Sequence, residues 1–251
     1  MRSSGRFKDH FSDVAAAYAA HRPSYPAALV DFLARLAPAR RLAWDSGCGS
    51  GQLSVLLAGP FARVVASDAS PEQIARAVPH PKVEYRCVAA EASGLPERVV
   101  DLAAAAQAAH WFDLPAYYAE VRRVVRRGGI VALISYGVVT ADPAVDAVIQ
   151  PFYRNVLASY WPPERRHVDD AYRSLPFPFE ELDTPAFEIR LDWRLEDLVG
   201  YVGTWSAVWA LEQAEGQGPF ASFRRGLEAA WRPATAVRTV RWPLALRVGR
   251  V

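Results

Sequence analysis

The residues best suited to chemistry cluster in the stretch LAWDSGCGSGQLSVLL, where an acid is followed by three glycines at alternate positions: Asp45, Gly47, Gly49 and Gly51. Glycine inside or beside a regular element costs stability, so a cluster of this kind needs a backbone reason, such as positive φ or the close approach of another group. A dinucleotide fingerprint would place its third glycine where Gln52 stands, and a phosphate loop would need a Gly-Lys-Ser/Thr ending that is absent here. What remains is an acid, a glycine-rich turn and a second acid, Asp68, at the end of the next apolar run. Cys48, inside the cluster, reads as a small packing residue and not as a nucleophile. The chain shows no Ser-His-Asp or Cys-His nucleophile signature, and its five histidines have no His-Glu-x-x-His spacing.

The elements that position this loop follow from hydrophobic periodicity. PAALVDFLARLA carries Leu29, Val30, Leu33, Leu36 and Ala37 at helical spacing. Short apolar runs then alternate with helical stretches: RLAWD, QLSVLLA, RVVASD, PEQIARAV, VEYRCVA, DLAAAAQA, LPAYYAEVRRVVRR and IVALISYG. Such alternation predicts right-handed βαβ units and a parallel sheet covered on both faces. Ser70 followed by Pro71 marks a helix start, and RRGG supplies a glycine stop before IVALIS. In a doubly wound sheet, ligands bind beyond the carboxyl ends of the strands, which places the glycine loop in the crevice. Residues 141–180, rich in proline and aromatics, predict a partly helical insertion acting as a cap. FEIRLDWRL and TVRWPLALRVGRV complete the sheet with an antiparallel edge, and LEDLVGYVGTWSAVWALEQ and FASFRRGLEAAW read as helical. The whole chain of 251 residues reads as one domain.

Composition narrows the classes of function. The net charge of +2 and the even spread of basic residues, nearly all arginine, give no nucleic-acid footprint. Two cysteines without knuckle or disulfide spacing fit a reducing, cytoplasmic setting. No apolar span is long enough to cross a bilayer, so no membrane partner is expected.

Taken together, DSGCGSGQ with Asp68 in ASDASPEQI, and then YAAHRPSYP, AAEASGLP, QAAHWFD, TWSAVW and LRVGRV in the expected order along the chain, make it resemble the class I S-adenosylmethionine-dependent methyltransferases. Within them it is similar to the type 11 group and its trans-aconitate methyltransferase-like branch. The resemblance implies a Rossmann-like α/β fold with a doubly wound, seven-stranded, mostly parallel sheet, and S-adenosyl-L-methionine as cofactor. It implies that Gly47, Gly49 and Gly51 lie against the methionyl part and that Asp45 helps place its amino end. Asp68 would accept both ribose hydroxyls in a fork. Ala69 and Glu91 would border the adenine, and Gln107 and Ala108 would close over the methionyl side. Glu91 has an alternative reading as a solvated loop carboxylate.

Methyl transfer from a sulfonium is an in-line displacement that mainly asks the protein for alignment and exclusion of water. The acceptor pocket is expected beside QAAHWFD, roofed by residues 1–26 and by the insertion. His110 is either a general base toward a hydroxyl or a structural residue orienting Trp111. Tyr18, Arg22 and Tyr25 are pocket residues by resemblance, with Arg22 suited to an acceptor carboxylate. Tyr25 with Pro26 can equally be a hydrophobic staple before the first helix. Trp111, Trp161, Trp205 and Trp209 are core or pocket wall, whereas Asp169-Asp170 and Glu180-Glu181 read as solvated charges. Enzymes of this fold that methylate DNA amino groups carry an Asn/Asp-Pro-Pro-aromatic motif where QAAHWF stands here. The expected acceptor is therefore a small molecule, an organic acid or a hydroxylated metabolite. A nicotinamide-dependent oxidoreductase and a non-catalytic cofactor-binding protein are the rival readings, and oligomeric state is left open.

Overall fold

A computed structural model describes residues 23–251. Helix α1 (Ala27–Leu36) buries Leu29, Val30 and Leu33 of the face its periodicity marked, together with Ala34, while Leu36 and Ala37 of that face are half-buried. Five strands then alternate with short helices: β1 (Leu42–Ser46), α2 (Gln52–Leu57), β2 (Arg63–Asp68), α3 (Pro71–Ala75), β3 (Val83–Cys87), β4 (Val100–Ala106), α4 (Leu114–Val124) and β5 (Val125–Tyr136). The strand order is β3-β2-β1-β4-β5, all parallel, and it reverses between β1 and β4. Ser70 caps as its sequence signal indicated, its Oγ accepting from Gln73 N at the start of α3, and Asp113 Oδ1 accepts from Ala116 N at the start of α4.

Alternation along the central strands divides the core. Ala43, Leu102, Ala104, Ile130, Ala132 and Ile134 face one layer, which holds α1, α2 and the later helices. Trp44, Ala103, Ala105, Val131 and Leu133 face the other, which holds α4 through Tyr117, Tyr118, Val121 and Val124. Successive side chains on a strand point to opposite faces, so strands buried on both sides read as continuous apolar runs. At the amino ends of the strands, the fully buried Asp101 accepts from the backbone N–H groups of Arg41 and Leu42 and pairs with Arg126 at 2.6 Å.

The second half departs from simple alternation. Helix α5 (Pro143–Pro151) runs into a wider π turn (Phe152–Val156), followed by α6 (Arg165–Asp169), β6 (Glu180–Glu181) and β7 (Glu188–Trp193). Helices α7 (Leu195–Gly203), α8 (Ser206–Glu215) and α9 (Gly218–Trp231) precede β8 (Arg238–Arg250). Strand β8 is antiparallel to β5, and it is internal and not an edge, because β6 and β7 pair with it on its other side. Between Glu181↔Gly249 and Glu188↔Pro243 the chain advances seven residues on one strand and six on the other. Thus β6 and β7 are two pieces of one interrupted strand, with Pro185, which has no N–H to donate, in the gap. Eight strands thereby occupy the seven positions expected.

Two boundaries differ from the expectation. Helix α4 stops at Val124, and β5 begins with Val125 before RRGG; its pairing with β4 then jumps from Val125 to Ile130, so the glycines form a bulge inside the strand. The helical region expected around LEDLVGYVGTWSAVWALEQ forms two helices, parted at Thr204–Trp205, where Thr204 Oγ1 turns back to donate to Tyr201 O.

Candidate active site

The glycine loop leaves β1 at the point where strand order reverses. Its entry is fixed by the Gly47 and Cys48 amides, which both donate to Ser67 O on β2, at 2.7 and 3.0 Å. Ser46 Oγ is anchored by Ala104 O and shares a hydrogen bond with Tyr117 OH, both at 2.9 Å. Gly47 has φ +67°, and a Cβ there would sit 2.5 Å from Ala108 Cβ and 3.0 Å from the Phe112 ring. Gly51 has φ +91°, and a Cβ there would overlap the Tyr85 ring. Two of the three glycines are thus required by left-handed backbone and by side chains already in place. Gly49 has φ +55°, and a Cβ there would meet nothing closer than 3.7 Å among the described residues.

Asp45 ends up buried, with Ser54 Oγ of α2 donating to Oδ2 at 2.5 Å while Oδ1 has no partner among the described residues. Burial pushes its pKa from 3.8 up to about 7; the Ser54 hydrogen bond opposes that shift and the neighbouring Asp68 charge adds to it. Asp68 Oδ2 accepts from Gly49 N at 2.8 Å and Oδ1 from Ser70 N at 2.9 Å, so backbone amides hold the carboxylate at the carboxyl end of β2. Burial pushes the Cys48 thiol up, with Asp45 and Asp68 adding to the effect, which keeps it protonated and inert as a nucleophile.

Of the remaining residues expected at the cofactor, Ala69 is exposed beside Asp68. Glu91 Oε1 accepts from Asp113 N at 2.9 Å, which ties the segment after β3 to the start of α4. Gln107 has φ +56°, its amide donates to Ile134 O and its Nε2 to Tyr136 O, both at 2.8 Å. Ala108 is buried against Gly47.

Beyond Gln107 opens a cavity of about 110 Å³, lined by His110, Trp111, Tyr136, Trp161, Arg165, Tyr201, Thr204 and Trp205 among others. The strand ends supply its floor, and its far walls come from the insertion and from the α7–α8 corner. His110 Nδ1 lies 2.7 Å from Tyr172 OH, and its ring stands beside Trp111. Burial, with the nearby Arg165 and His167 charges, pushes its pKa down to about 3, so the imidazole is neutral at physiological pH.

Trp111, Trp161 and Trp205 line the cavity, whereas Trp209 is 45 % exposed and is neither core nor wall. Tyr25 belongs to the apolar core and faces the Tyr136 ring at 6.3 Å. Tyr18 and Arg22 lie outside the described residues. The acidic pairs are not merely solvated: Asp169 accepts from Tyr153 OH, Asp170 from Ser174 N, and Glu181 from both Arg247 Nε and Nη2. Sequence reasoning missed Ser54, Tyr85, Tyr153, Arg165 and Tyr172. For Arg165 the available signal was its place in the proline- and aromatic-rich insertion expected to form a cap.

The strand order, the crevice at its reversal and the acidic glycine loop define a Rossmann-like methyltransferase fold. A methyltransferase-domain family matches residues 44–133, which span β1 through most of β5. A protein of Dictyostelium discoideum described as a methyltransferase is 35 % identical over 213 residues, covering 83 % of this chain and 81 % of its own length. A solved structure described as a type II methyltransferase from Anaeromyxobacter dehalogenans is 49 % identical, with a TM-score of 0.87 over 91 % of this chain and 97 % of that one. A methyltransferase structure from Anabaena variabilis, 18 % identical with a TM-score of 0.53 over 87 % of this chain and 96 % of that one, shares the fold. The chain belongs to the class I S-adenosylmethionine-dependent methyltransferases.

The residues present fit that cofactor. Asp45 Oδ1, without a partner among the described residues, offers a buried acceptor for an ammonium group, whose positive charge would favour the ionised carboxylate that burial alone disfavours. Among the described residues, no helix is long and apolar enough to span a membrane.

Proposed function

We propose that the chain methylates a small molecule bearing a carboxylate or hydroxyl, bound in the cavity beyond Gln107. The observation that carries this reading is the position of that cavity: Gln107 lines it, and the next residue, Ala108, packs on Gly47 of the cofactor loop. A partly enclosed space of about 110 Å³ walled by indole and phenol rings suits a small acceptor and not a duplex groove or a protein surface. The resemblance to the trans-aconitate methyltransferase-like branch supports an organic acid.

When bound, S-adenosylmethionine supplies an electrophilic methyl group on a sulfonium. Asp45 would hold its ammonium group, and Asp68, steadied by the Gly49 and Ser70 amides, would use its remaining lone pairs on the ribose hydroxyls. Glu91 and Ala69 would flank the adenine. The aromatic walls exclude water from the acceptor, and alignment of the reacting atoms supplies most of the acceleration. His110, neutral and held at Nδ1 by its hydrogen bond with the Tyr172 hydroxyl, would meet the acceptor as an uncharged hydrogen-bonding group. Tyr25 acts indirectly, by packing on Tyr136 of the cavity wall.

The test is incubation of the full chain with isotopically labelled S-adenosylmethionine and fractionated metabolite pools, followed by mass spectrometry for labelled products. Label in a low-molecular-weight fraction supports the reading. Label only in protein or nucleic acid refutes it. Asp68→Ala should weaken cofactor binding by about 1.5–3 kcal/mol while leaving the fold intact, and unchanged affinity would remove Asp68 from the site.

A further inference from the structure

Arg165 is the one charged side chain lining the acceptor cavity among the described residues, since His110 is neutral there. It starts α6 in the insertion, and its side chain is only 22 % exposed. Its guanidinium lies against two aromatic rings, 4.9 Å from the Trp161 centroid and 5.4 Å from that of Tyr153. One edge is fixed: Nε donates to Tyr153 OH at 2.7 Å, and that hydroxyl donates to Asp169. Asp169 itself stands 3.6 Å from Nε and is 45 % exposed, so its charge sits on the Nε side of the group. Neither terminal nitrogen makes a hydrogen bond among the described residues.

Asp169 offsets the charge from the Nε side only, so the two terminal nitrogens keep donors that a bound anion would satisfy. Its planar fork matches a carboxylate in two parallel N–H···O bonds. The Asp169–Tyr153–Arg165 chain locks the plane of the fork in advance, which lowers the entropic cost of capture. Trp161 and Trp205, whose rings lie 5.7 Å apart, together with Tyr136 and Tyr201, favour a flat, conjugated body behind the charge. We propose that Arg165, positioned by Tyr153 and Asp169, binds the carboxylate of a planar organic-acid acceptor and sets the specificity of the enzyme. This inference rests on the methyltransferase reading of the cavity. It also assigns the anion-holding role to a residue of the insertion.

Because Trp111, Trp161 and Trp205 line the cavity, tryptophan fluorescence of the full chain reports occupancy. The probes are benzoate and its neutral isostere benzamide, titrated into protein saturated with S-adenosylhomocysteine. Benzoate is expected to bind at least tenfold more tightly than benzamide. Arg165→Gln should bring the two within about twofold, and Arg165→Lys should restore part of the preference. Tyr153→Phe keeps the ring but releases Nε, so it should weaken benzoate several-fold and leave benzamide unchanged. Equal binding of the two probes to the wild type overturns the proposal. So does a preference that survives in Arg165→Gln, or no benzoate binding up to millimolar concentration. Binding of S-adenosylhomocysteine should be the same in wild type and Arg165→Gln; its failure in the wild type would instead refute the cofactor reading, a separate outcome.

Discussion

Asp45→Asn should stabilise the protein and at the same time cripple cofactor binding. Burial raises the Asp45 carboxyl from 3.8 to about 7 in the folded chain, a difference worth roughly 4 kcal/mol. The raised value means that the folded state holds a proton the unfolded state has released between those two limits. Stability therefore falls as pH rises through that window, and the full cost is present above about pH 7. Asparagine keeps an oxygen for Ser54 Oγ and carries no charge, so at pH 8 the variant should gain between about 1 and 4 kcal/mol and lose that pH slope. Cofactor binding runs the other way. An ammonium group is held well only by the ionised acid, so binding expels a proton from Asp45, and apparent affinity should drop about tenfold between pH 8 and pH 6. Tyr85, pushed up to about 12, and His110, pushed down to about 3, do not change charge in that range. In the Asn variant the dependence should flatten and affinity should fall by roughly ten- to a hundredfold, the worth of a hydrogen bond to a charged group. Urea unfolding and calorimetric titration of S-adenosylhomocysteine at pH 5.5, 6.5, 7.5 and 8.5, in wild type and variant, measure both halves. A wild-type affinity that is flat across this range, or an Asn variant with the wild-type slope, would show that Asp45 does not hold the ligand's charge.

Two further changes probe the scaffold. Gly51→Ala introduces a Cβ into left-handed backbone and into the Tyr85 ring, so it should cost at least about 2 kcal/mol in urea unfolding and abolish cofactor binding; a cost below ~0.5 kcal/mol would mean that the loop can turn another way. Asp101→Ala strips Arg126 and the Arg41 and Leu42 amides of their shared partner, with an expected loss of about 3–5 kcal/mol; because the residue lies at the opposite end of the strands, cofactor affinity measured on the protein that remains folded should not change.

Local pattern determined a large part of this protein. Continuous apolar runs at Trp44, Val65, Ala103 and Val131 can exist only where both strand faces are covered, so the parallel sheet and its helical layers were legible one strand at a time. Asp45, the three glycines and Asp68 were legible as a candidate site because glycine at alternate positions costs stability unless the backbone must turn left-handed or be approached closely, and the fold gathers all of them at one crevice. The reason each glycine is needed was not legible, since Ala108 and Tyr85 reach Gly47 and Gly51 from elements far along the chain. Nor was the cavity wall. His110 meets Tyr172 across 62 positions, and Arg165 faces Gln107 and Trp205 only because the insertion and the α7–α8 corner converge over the strand ends. The charge state of a site is likewise a tertiary quantity. The same Asp and His side chains titrate near their ordinary values in water, and burial moves the two far in opposite directions, which no local spacing encodes.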